Sequence, residues 1–464
     1  MKNYSIPAIG AVSLSLLMSG CETTTRVNKE EQPNVVIIFL DDAGWADFDP
    51  FWKNYYKTEN VNALAREGRV FQNFYVPQAV CSASRSALLT GCYPGRTDMH
   101  GAHGPNHRGV DPSFETIGEM LKRNDYTTGA FGKWHIGDAE ETRPPARGFD
   151  ESAGIMYSND MWSAHPVNPD YWGQFPLRYW ENGEVIIDSV TGEHQKYFTK
   201  WITESAVDFI DRNKENPFFL YVAHPQPHVP LFCSDEFKGK SGIGLFADVM
   251  LEIDWSVGQI MQSLKKNGLE DNTLVMFSSD NGPWISYGNH AGKTPFRNAK
   301  TSSFDGGIRS PLIMKLPGKI PSGSVSRNCL FSIDILPTIA EITHAQLPQN
   351  QIDGKNVWEL IVGEDGVDNP HDYYAVSLNR KLQAVLSSDG KWKLHLPHGY
   401  SEVVEGGNNG MPGKRMNMEI DTALFNLVND PYEISNLHGH YPEITNQLLE
   451  YAQKHKNVFY LSDD

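Results

Sequence analysis

The chain has 464 residues, of which 57 are acidic and 40 are basic, so its formal net charge at pH 7 is -17. Such a surface repels nucleic acid and anionic lipid, and an anionic substrate has to be held by a local pocket of cationic side chains. The 11 tryptophans and a hydrophobic content of 40% indicate a folded globular protein. The length predicts two domains, a large core and a smaller companion.

The N-terminus has the pattern of an export signal. Lys2 is followed by an apolar run over residues 6–18, which is too short to span a bilayer, and by small residues at 19–20. With Cys21 next, the segment resembles a bacterial lipoprotein signal. We therefore expect a signal peptide over residues 1–20, lipid on Cys21 and a polar tether over residues 21–31. The alternative is a plain signal peptide in which Cys21 occurs by chance.

Export implies a periplasmic protein or, with the lipid, an outer-membrane lipoprotein that meets the membrane only through its anchor.

Apolar runs of strand length alternate with stretches long enough for helices, which is typical of a parallel sheet covered on both faces. The runs are residues 35–40, 127–131, 218–223 and 273–277. The predicted fold class is therefore α/β, with a large, mostly parallel sheet flanked by helices. Ligands of such sheets bind beyond the carboxyl ends of the strands. The polar residues that follow these runs are Asp41, Asp42, Lys133, His135, His224, His228, Asp280 and Asn281.

The acidic residues at these strand ends indicate a metal site. Asp and Asn after a strand often cap the next helix or form a turn, and each residue alone would fit that explanation. Asp41 and Asp42, however, are adjacent carboxylates that repel each other at neutral pH unless a cation neutralises them. Together with Asp280 and Asn281 they offer oxygen ligands, which favour calcium or magnesium over zinc.

Residues 81–91 predict a helix that begins at Cys81 and ends at Gly91. A spacing of four places Arg85 on the same face as Cys81, and the first turn of a helix favours a negative group. The segment therefore predicts an anion site with a sulfur at its edge. The physical chemistry leaves three roles open for Cys81, namely a nucleophile, a redox thiol or a buried core residue.

Residues 81–91 match the sulfatase signature Cys-x-Pro/Ala-x-Arg followed by Leu-x-Thr-Gly, and residues 34–437 resemble sulfatases of the arylsulfatase A type. The other segments that carry the resemblance are residues 34–44, 132–137, 147–150, 279–282, 305–309, 424–427, 430–431 and 436–437. The resemblance implies an alkaline phosphatase-like fold. It also implies that a maturation enzyme converts Cys81 to formylglycine.

The resemblance further implies one calcium ion, bound together with the sulfate. Its ligands would be Asp41, Asp42, Asp280, Asn281 and the modified Cys81.

The same resemblance implies roles for the remaining polar residues. Arg85 would orient the formylglycine, while Lys133 and Lys300 would neutralise sulfate oxygens. His135 and His228 would move protons, with His228 protonating the leaving oxygen.

Four departures from the family pattern affect these assignments. Ala83 stands where many members have Pro, and Cys92 replaces a basic residue that commonly follows the signature. The segment around Lys300 lacks the usual glycine before the lysine, and Asp305 replaces Glu. Lys293 is therefore the alternative to Lys300 as the second sulfate-binding lysine.

An exported sulfatase is expected to act on sulfated polysaccharide or its oligosaccharides. Ser158, Trp284 and His290 are the candidate substrate-binding residues. The aromatics of residues 156–180 suit either a sugar-stacking wall or packing against the core. Two other functions remain open. One is phosphate or phosphonate ester hydrolysis in the same superfamily, and the other is glycan binding by an inert site.

The predicted catalytic domain covers residues 32–362, and a smaller α+β domain covers residues 363–464. The latter would contain a small antiparallel sheet and a terminal helix, over residues 374–378, 382–386, 391–396 and 442–455. Residues 406–410, rich in Gly and Asn, predict a mobile loop.

Overall fold

The computed structural model describes residues 1–2, 32–364 and 366–460. Its first strand, β1 (Asn34–Leu40), consists of seven residues that are all buried. A strand buried on both faces needs helices above and below it, and the β-branched residues Val and Ile suit such a position. The predicted signal peptide, tether and lipidated Cys21 lie outside the described residues.

The strands of the large sheet are β1, β2 (Arg69–Tyr75), β3 (Thr127–Lys133), β4 (Glu151–Ile155), β5 (Tyr179–Glu181), β6 (Glu184–Ile187), β7 (Phe218–Ala223), β8 (Thr273–Ser279), β9 (Arg309–Lys315), β10 (Ser324–Ser326) and β11 (Leu330–Phe331). The order is β10-β2-β9-β8-β1-β7-β3-β4-β5-β6, and β11 also pairs with β2. The centre from β8 to β4 is parallel, whereas β9, β5 and β6 pair antiparallel with their neighbours. This arrangement confirms the predicted fold class.

The helices of the chain are α1 (Glu59–Glu67), α2 (Cys81–Thr90), α3 (Pro94–Thr97), α4 (Ile117–Lys122), α5 (Pro169–Trp172), α6 (Gly192–Gln195), α7 (Phe198–Asn213), α8 (Leu245–Lys266), α9 (Asp305–Ile308), α10 (Ile335–Thr343), α11 (Trp358–Val362) and α12 (Pro442–Phe459). The longest, α8, packs its apolar face against α7 and α1. No helix among the described residues has the length and apolarity that a membrane crossing needs.

A second, antiparallel sheet follows with the order β12-β13-β14-β17. Its strands are β12 (Tyr373–Leu378), β13 (Lys381–Ser387), β14 (Trp392–His395) and β17 (Ala423–Asn426). Helix α12 packs on this sheet and reaches back to the core, where His455 contacts Tyr93 with ring centroids 4.8 Å apart.

Between β14 and β17 the chain forms a separate two-stranded hairpin, which we call the C-terminal hairpin. Its strands are β15 (His398–Glu405) and β16 (Lys414–Ile420), and their pairing runs from His398 with Ile420 to Glu405 with Lys414. Both strands are exposed over much of their length.

Candidate active site

Three strands from the parallel centre of the sheet bring their polar ends together, with β7 lying between β1 and β3. Strand β1 ends just before Asp41 and Asp42, β8 ends just before Asp280 and Asn281, and Lys133 is the last residue of β3. The parallel register aligns Leu40 with the end of β8, so these side chains meet at one edge of the sheet. All of them are buried.

Helix α2 begins at Cys81, at this same edge. Val80 before it is extended, and Gly91 at its end has φ 66, the left-handed conformation that ends many helices. Cys81 Sγ lies 3.2 Å from Asp41 Oδ1 and 3.3 Å from Lys300 Nζ. The helix therefore holds the sulfur between a carboxylate and an ammonium group.

Charges around the sulfur form three buried pairs. Lys133 Nζ donates to Asp41, Lys300 Nζ lies 2.8 Å from Asp42 Oδ1, and Arg85 Nη2 lies 2.8 Å from Asp280 Oδ2. Burial alone would raise the pKa of Asp41, but Lys133, His228 and Arg85 hold it well below the usual value. Burial and Asp41 raise the pKa of Asp280 to about 7. One carboxylate of the set therefore carries a proton near neutral pH unless a further cation stabilises its charge.

The oxygen atoms of this cluster fit a cation. Ligand atoms of Asp41, Asp42, Cys81 and His228 all lie within 4.8 Å of one another. Asn281 Nδ2 donates 2.7 Å to Asp42 Oδ1, whereas the buried Asn281 Oδ1 has no hydrogen-bond donor among the described residues. A buried acceptor without a donor is costly, and a divalent cation would satisfy it.

Two histidines border the cluster with opposite ring orientations. His228 Nδ1 donates to a backbone carbonyl, so that Nε2, which lies 3.6 Å from Asp42 Oδ2, faces the site. His135 Nε2 donates 2.8 Å to the His103 carbonyl, and its buried Nδ1 has no partner among the described residues. Burial, with nearby Lys300, lowers the pKa of His228, and burial with Lys133 lowers that of His135. Both rings therefore favour the neutral form.

The environment of Cys81 bears on the three roles left open for it. Burial and Asp41 raise the pKa of its thiol well above the usual value, so little thiolate is present. All cysteines within residues 32–364 and 366–460 are free, and Cys81 itself is 1% exposed. An unmodified cysteine nucleophile and an accessible redox thiol both fit poorly here.

A family model described as Sulfatase matches residues 33–345. The chain belongs to the sulfatase family. This sulfatase is 32% identical to N-acetylgalactosamine-6-sulfatase of Mus musculus, and the match covers 92% of the chain and 86% of that protein. It is 29% identical to N-acetylgalactosamine-6-O-sulfatase of Bacteroides thetaiotaomicron, over 98% of the chain and 100% of that protein. The sulfatase is a sulfuric ester hydrolase.

Solved structures agree with this assignment. Ps i-CgsB, crystallised with k-i-k-neocarrahexaose, superposes on the sulfatase with a TM-score of 0.75 at 28% identity, covering 91% of this chain and 92% of that chain. The PsFucS1 sulfatase from Pseudoalteromonas sp. gives a TM-score of 0.83 at 23% identity, covering 94% and 92%, and at that identity shows the fold alone.

The two candidate lysines differ in their contacts with the cluster. Lys300 Nζ lies against Cys81 and Asp42, whereas Lys293 Nζ donates 2.7 Å to Asn54 Oδ1. Ser158 Oγ bridges the two sides of the site, 3.3 Å from Lys133 Nζ and 3.4 Å from His228 Nε2.

The other substrate-binding candidates differ in their distance from the cluster. Trp284 lies under Lys300, whose Nζ is 4.4 Å from the ring centroid, and its ring is 5.3 Å from that of His228. His290 lies beside the C-terminal hairpin, near Gly410, and within the described chain it forms no hydrogen bond with the cluster. His224 Nε2 lies 3.0 Å from Ser256 Oγ.

One residue that supports the site carries no recognisable sequence signal. The His103 carbonyl accepts the proton of His135, and the His103 amide donates 3.0 Å to Ser82 Oγ on helix α2. Because both contacts use the backbone, no residue type marks the position.

Proposed function

We propose that this sulfatase hydrolyses sulfate esters of a sulfated polysaccharide or oligosaccharide, with a formylglycine made from Cys81 and one calcium ion. The observation that carries the proposal is the position of Cys81 Sγ, 3.2 Å from Asp41 Oδ1 and 3.3 Å from Lys300 Nζ at the first turn of α2. A formylglycine hydrate there offers two hydroxyls on one carbon, one to attack sulfur and the other to expel sulfate later.

Asp41, Asp42, Asp280, Asn281 and the modified Cys81 are the proposed calcium ligands. Calcium prefers such oxygen ligands and would stabilise charge on the sulfate oxygens. The orphaned Asn281 Oδ1 supports this set, since it has no hydrogen-bond donor in the described chain and belongs to the amide whose Nδ2 bonds Asp42. Imidazole is a poor calcium ligand, so we assign His228 to proton transfer instead.

The remaining residues hold the ester and move protons. Lys300 lies against the sulfur and Lys133 against the neighbouring Asp41, so both attract sulfate oxygens, while Arg85 holds Asp280 in place. His228 Nε2 faces the site, and because the neutral ring carries its proton on Nδ1, Nε2 first takes up a proton from water and then gives it to the leaving oxygen. His135, whose Nδ1 is free of other protein donors and acceptors in the described chain, accepts the proton of the second hydroxyl as the carbonyl re-forms and sulfate leaves.

Two observations support the proposed substrate class, namely the substrates of related proteins and the aromatic residues beside the active site. The curated relatives include N-acetylgalactosamine-6-sulfatases, and Ps i-CgsB was crystallised with a neocarrahexaose. Trp284 is the aromatic residue beside Lys300 and His228, and it is suited to stack on the sugar. Of the aromatics in residues 156–180, Tyr157, Trp162, Tyr179 and Trp180 are buried, whereas Tyr171 is 55% exposed, so most of this segment packs inward.

Maturation and location complete the proposal. A formylglycine-generating enzyme would convert Cys81, and the protein would be exported to the periplasm or the outer membrane with lipid on Cys21. Residues 32–362 would form the catalytic domain, and residues 363–464 the C-terminal domain.

Peptide mass spectrometry of protein made with a formylglycine-generating enzyme tests the proposal directly. We expect the Cys81 peptide to carry the aldehyde, and calcium to be needed for activity that a chelator removes and added calcium restores. Hydrolysis is then measured on 4-nitrophenyl sulfate, 4-nitrophenyl phosphate and sulfated galactosamine and carrageenan oligosaccharides. Faster turnover of the phosphate would favour the phosphoesterase alternative. An unconverted Cys81 in the competent host would overturn the proposal in favour of an inert glycan-binding site.

A further inference from the structure

The tip of the C-terminal hairpin, residues 406–413, rests on one wall of the active site. Gly407 and Gly413 both donate their amides to the Ser286 carbonyl, at 2.9 and 2.7 Å. Gly288 packs so closely on the tip that a Cβ there would lie 1.9 Å from the Gly407 carbonyl oxygen. Ser286 and Gly288 belong to the short 3-10 helix Ile285–His290, which follows Trp284 directly.

The tip is also closed by its own hydrogen bonds. Asn408 and Met411 form a two-way backbone pair, and Asn409 receives a bond from the Asn289 side chain. The sequence predicts a mobile loop over residues 406–410. In the structure, these contacts join it to the 3-10 helix Ile285–His290. The strand that leaves the tip, β16, therefore has a defined position relative to the site.

Arg415, the second residue of β16, points back to this wall. Its guanidinium nitrogens lie 3.5 Å from Thr301 Oγ1 and 3.5 Å from Ser286 Oγ. Thr301 follows Lys300, and Ser286 is two residues from Trp284, so Arg415 lies beside the two segments that carry Lys300 and Trp284. Lys414, its neighbour, has its ammonium group 2.6 Å from Glu405 Oε2 on the other strand of the hairpin.

Arg415 differs from the cationic groups deeper in the site in having no acidic partner. Arg85, Lys133 and Lys300 are each matched by an aspartate. Within the described parts of the chain, no carboxylate forms an ion pair with Arg415, and its two contacts are long hydrogen bonds to hydroxyls. In a chain of net charge -17, an exposed guanidinium held at the site without a counter-ion is free to bind an anionic ligand.

We propose that Arg415 binds a second anionic group of the substrate, a sulfate or carboxylate on the sugar next to the one that loses its sulfate. The inference rests on the proposed sulfatase function and specifies its substrate class as glycans with at least one anionic group on the neighbouring sugar. The fork of a guanidinium matches the planar carboxylate and the sulfate oxygens, and Arg415 reaches the substrate from the hairpin rather than from the sheet.

The test compares probes that differ only in that second charge. The first pair is the glucuronate-containing disaccharide of chondroitin 6-sulfate and the same disaccharide with its carboxylate reduced to an alcohol. The second pair is a carrageenan-derived disaccharide with one or with two sulfate groups. For each pair, kcat/KM, or the inhibition constant against 4-nitrophenyl sulfate when a probe is not hydrolysed, gives a preference ratio for the doubly charged member.

We expect wild type to prefer the doubly charged member of at least one pair by about tenfold or more. One charge-assisted hydrogen bond contributes a free energy that corresponds to a ratio of this order. Arg415→Gln should reduce that ratio to near one, Arg415→Glu should invert it, and Arg415→Lys should retain part of it. Lys414→Gln is the matched control, because it removes a cation from the adjacent position, and its ratio should equal that of wild type.

Two results would overturn the inference. One is a wild-type enzyme with no preference in either pair, and the other is an Arg415→Gln enzyme whose preference ratio is unchanged. Failure of the sulfatase function itself is seen separately, as an absence of 4-nitrophenyl sulfate hydrolysis by converted wild type in the presence of calcium.

Discussion

The active site is assembled from two regions that differ in what holds them. Asp41, Lys133 and Asp280 follow or end strands of the central sheet, so the ladder hydrogen bonds of buried strands fix their positions. Lys300 lies instead in an irregular segment, between Asn298 with φ 57 and Thr301 with φ 68. A β-branched residue at positive φ is strained, and such a conformation persists only when the surroundings enforce it.

The C-terminal part of the chain supplies those surroundings. Arg297 donates 2.8 Å to the Glu433 carbonyl and Asn298 donates 3.0 Å to the Ser401 carbonyl. The Asp305 amide donates 2.7 Å to Glu433 Oε2, which closes the segment from its other end. The comparison shows that the sheet positions the carboxylate side of the site, whereas contacts from residues after position 390 position the Lys300 side.

Replacing Cys81 tests the sheet side with the largest expected effect. Cys81→Ala removes the nucleophile precursor, and we expect kcat/KM for 4-nitrophenyl sulfate to fall about 10⁴-fold or more, since the loss of a covalent nucleophile has effects of this order. Cys92→Ala is the matched control, a buried cysteine just after the same helix that bonds only backbone carbonyls. Residual activity of Cys81→Ala above one hundredth of wild type would contradict the assignment.

Replacing Lys300 tests the other side of the comparison. Lys300→Ala removes a charge 3.3 Å from the sulfur position, and we expect kcat to fall about 10²- to 10³-fold, as for the loss of one preorganised electrostatic contact. Lys293→Ala should stay close to wild type, because Lys293 bonds Asn54. Steady-state kinetics on converted protein measure both. The opposite ranking of the two variants would make Lys293 the sulfate-binding lysine.

Replacing Glu433 tests whether the C-terminal contacts position Lys300. Glu433 is fully buried, and its Oε1 lies 3.0 Å from Lys393 Nζ and 2.9 Å from His395 Nε2. Glu433→Gln weakens both contacts while keeping the side-chain length. We expect kcat to fall about 10- to 100-fold, because small displacements of a catalytic group have effects of this size.

The calcium affinity of the same variant separates positioning from general damage. The sheet-borne carboxylates are untouched in Glu433→Gln, so calorimetry should give a calcium affinity near that of wild type. Glu405→Gln, which affects only an exposed pair with Lys414, is the control for kcat. A parallel loss of calcium affinity and kcat would show disruption of the whole site and contradict a positioning role.

The two regions also differ in how far the sequence predicts them. Apolar runs followed by Asp41, Lys133 and Asp280 predict both the strands and their shared edge, because parallel strands align their carboxyl ends. Lys300 is ambiguous in sequence, since its segment has no periodicity and its place depends on contacts with residues far along the chain. Arg415 and Glu433 are equally hard to assign from the sequence. Their roles depend on how the hairpin packs, which no local pattern encodes.

The smallest predicted effect concerns how acid weakens the C-terminal region. His455 on α12 is 2% exposed and packs against Tyr93 and Phe459. Burial, helped by Arg96, lowers its pKa to about 3. The unfolded chain has a histidine pKa near 6.5, so the stability that the neutral ring contributes is present above that pH and is lost as the pH falls toward 3.

Between pH 7 and pH 5 we expect this histidine to account for a loss of about 2 kcal/mol in the free energy of unfolding. His455→Phe, which cannot take up a proton, should lose about that much less over the same interval in urea unfolding. His440→Phe, at an exposed position, should keep the wild-type difference between the two pH values. Equal pH dependence in His455→Phe and wild type would mean that the helix carrying His455 does not limit acid stability. Protonation of His455 on α12 would then not weaken the C-terminal region whose contacts position Lys300.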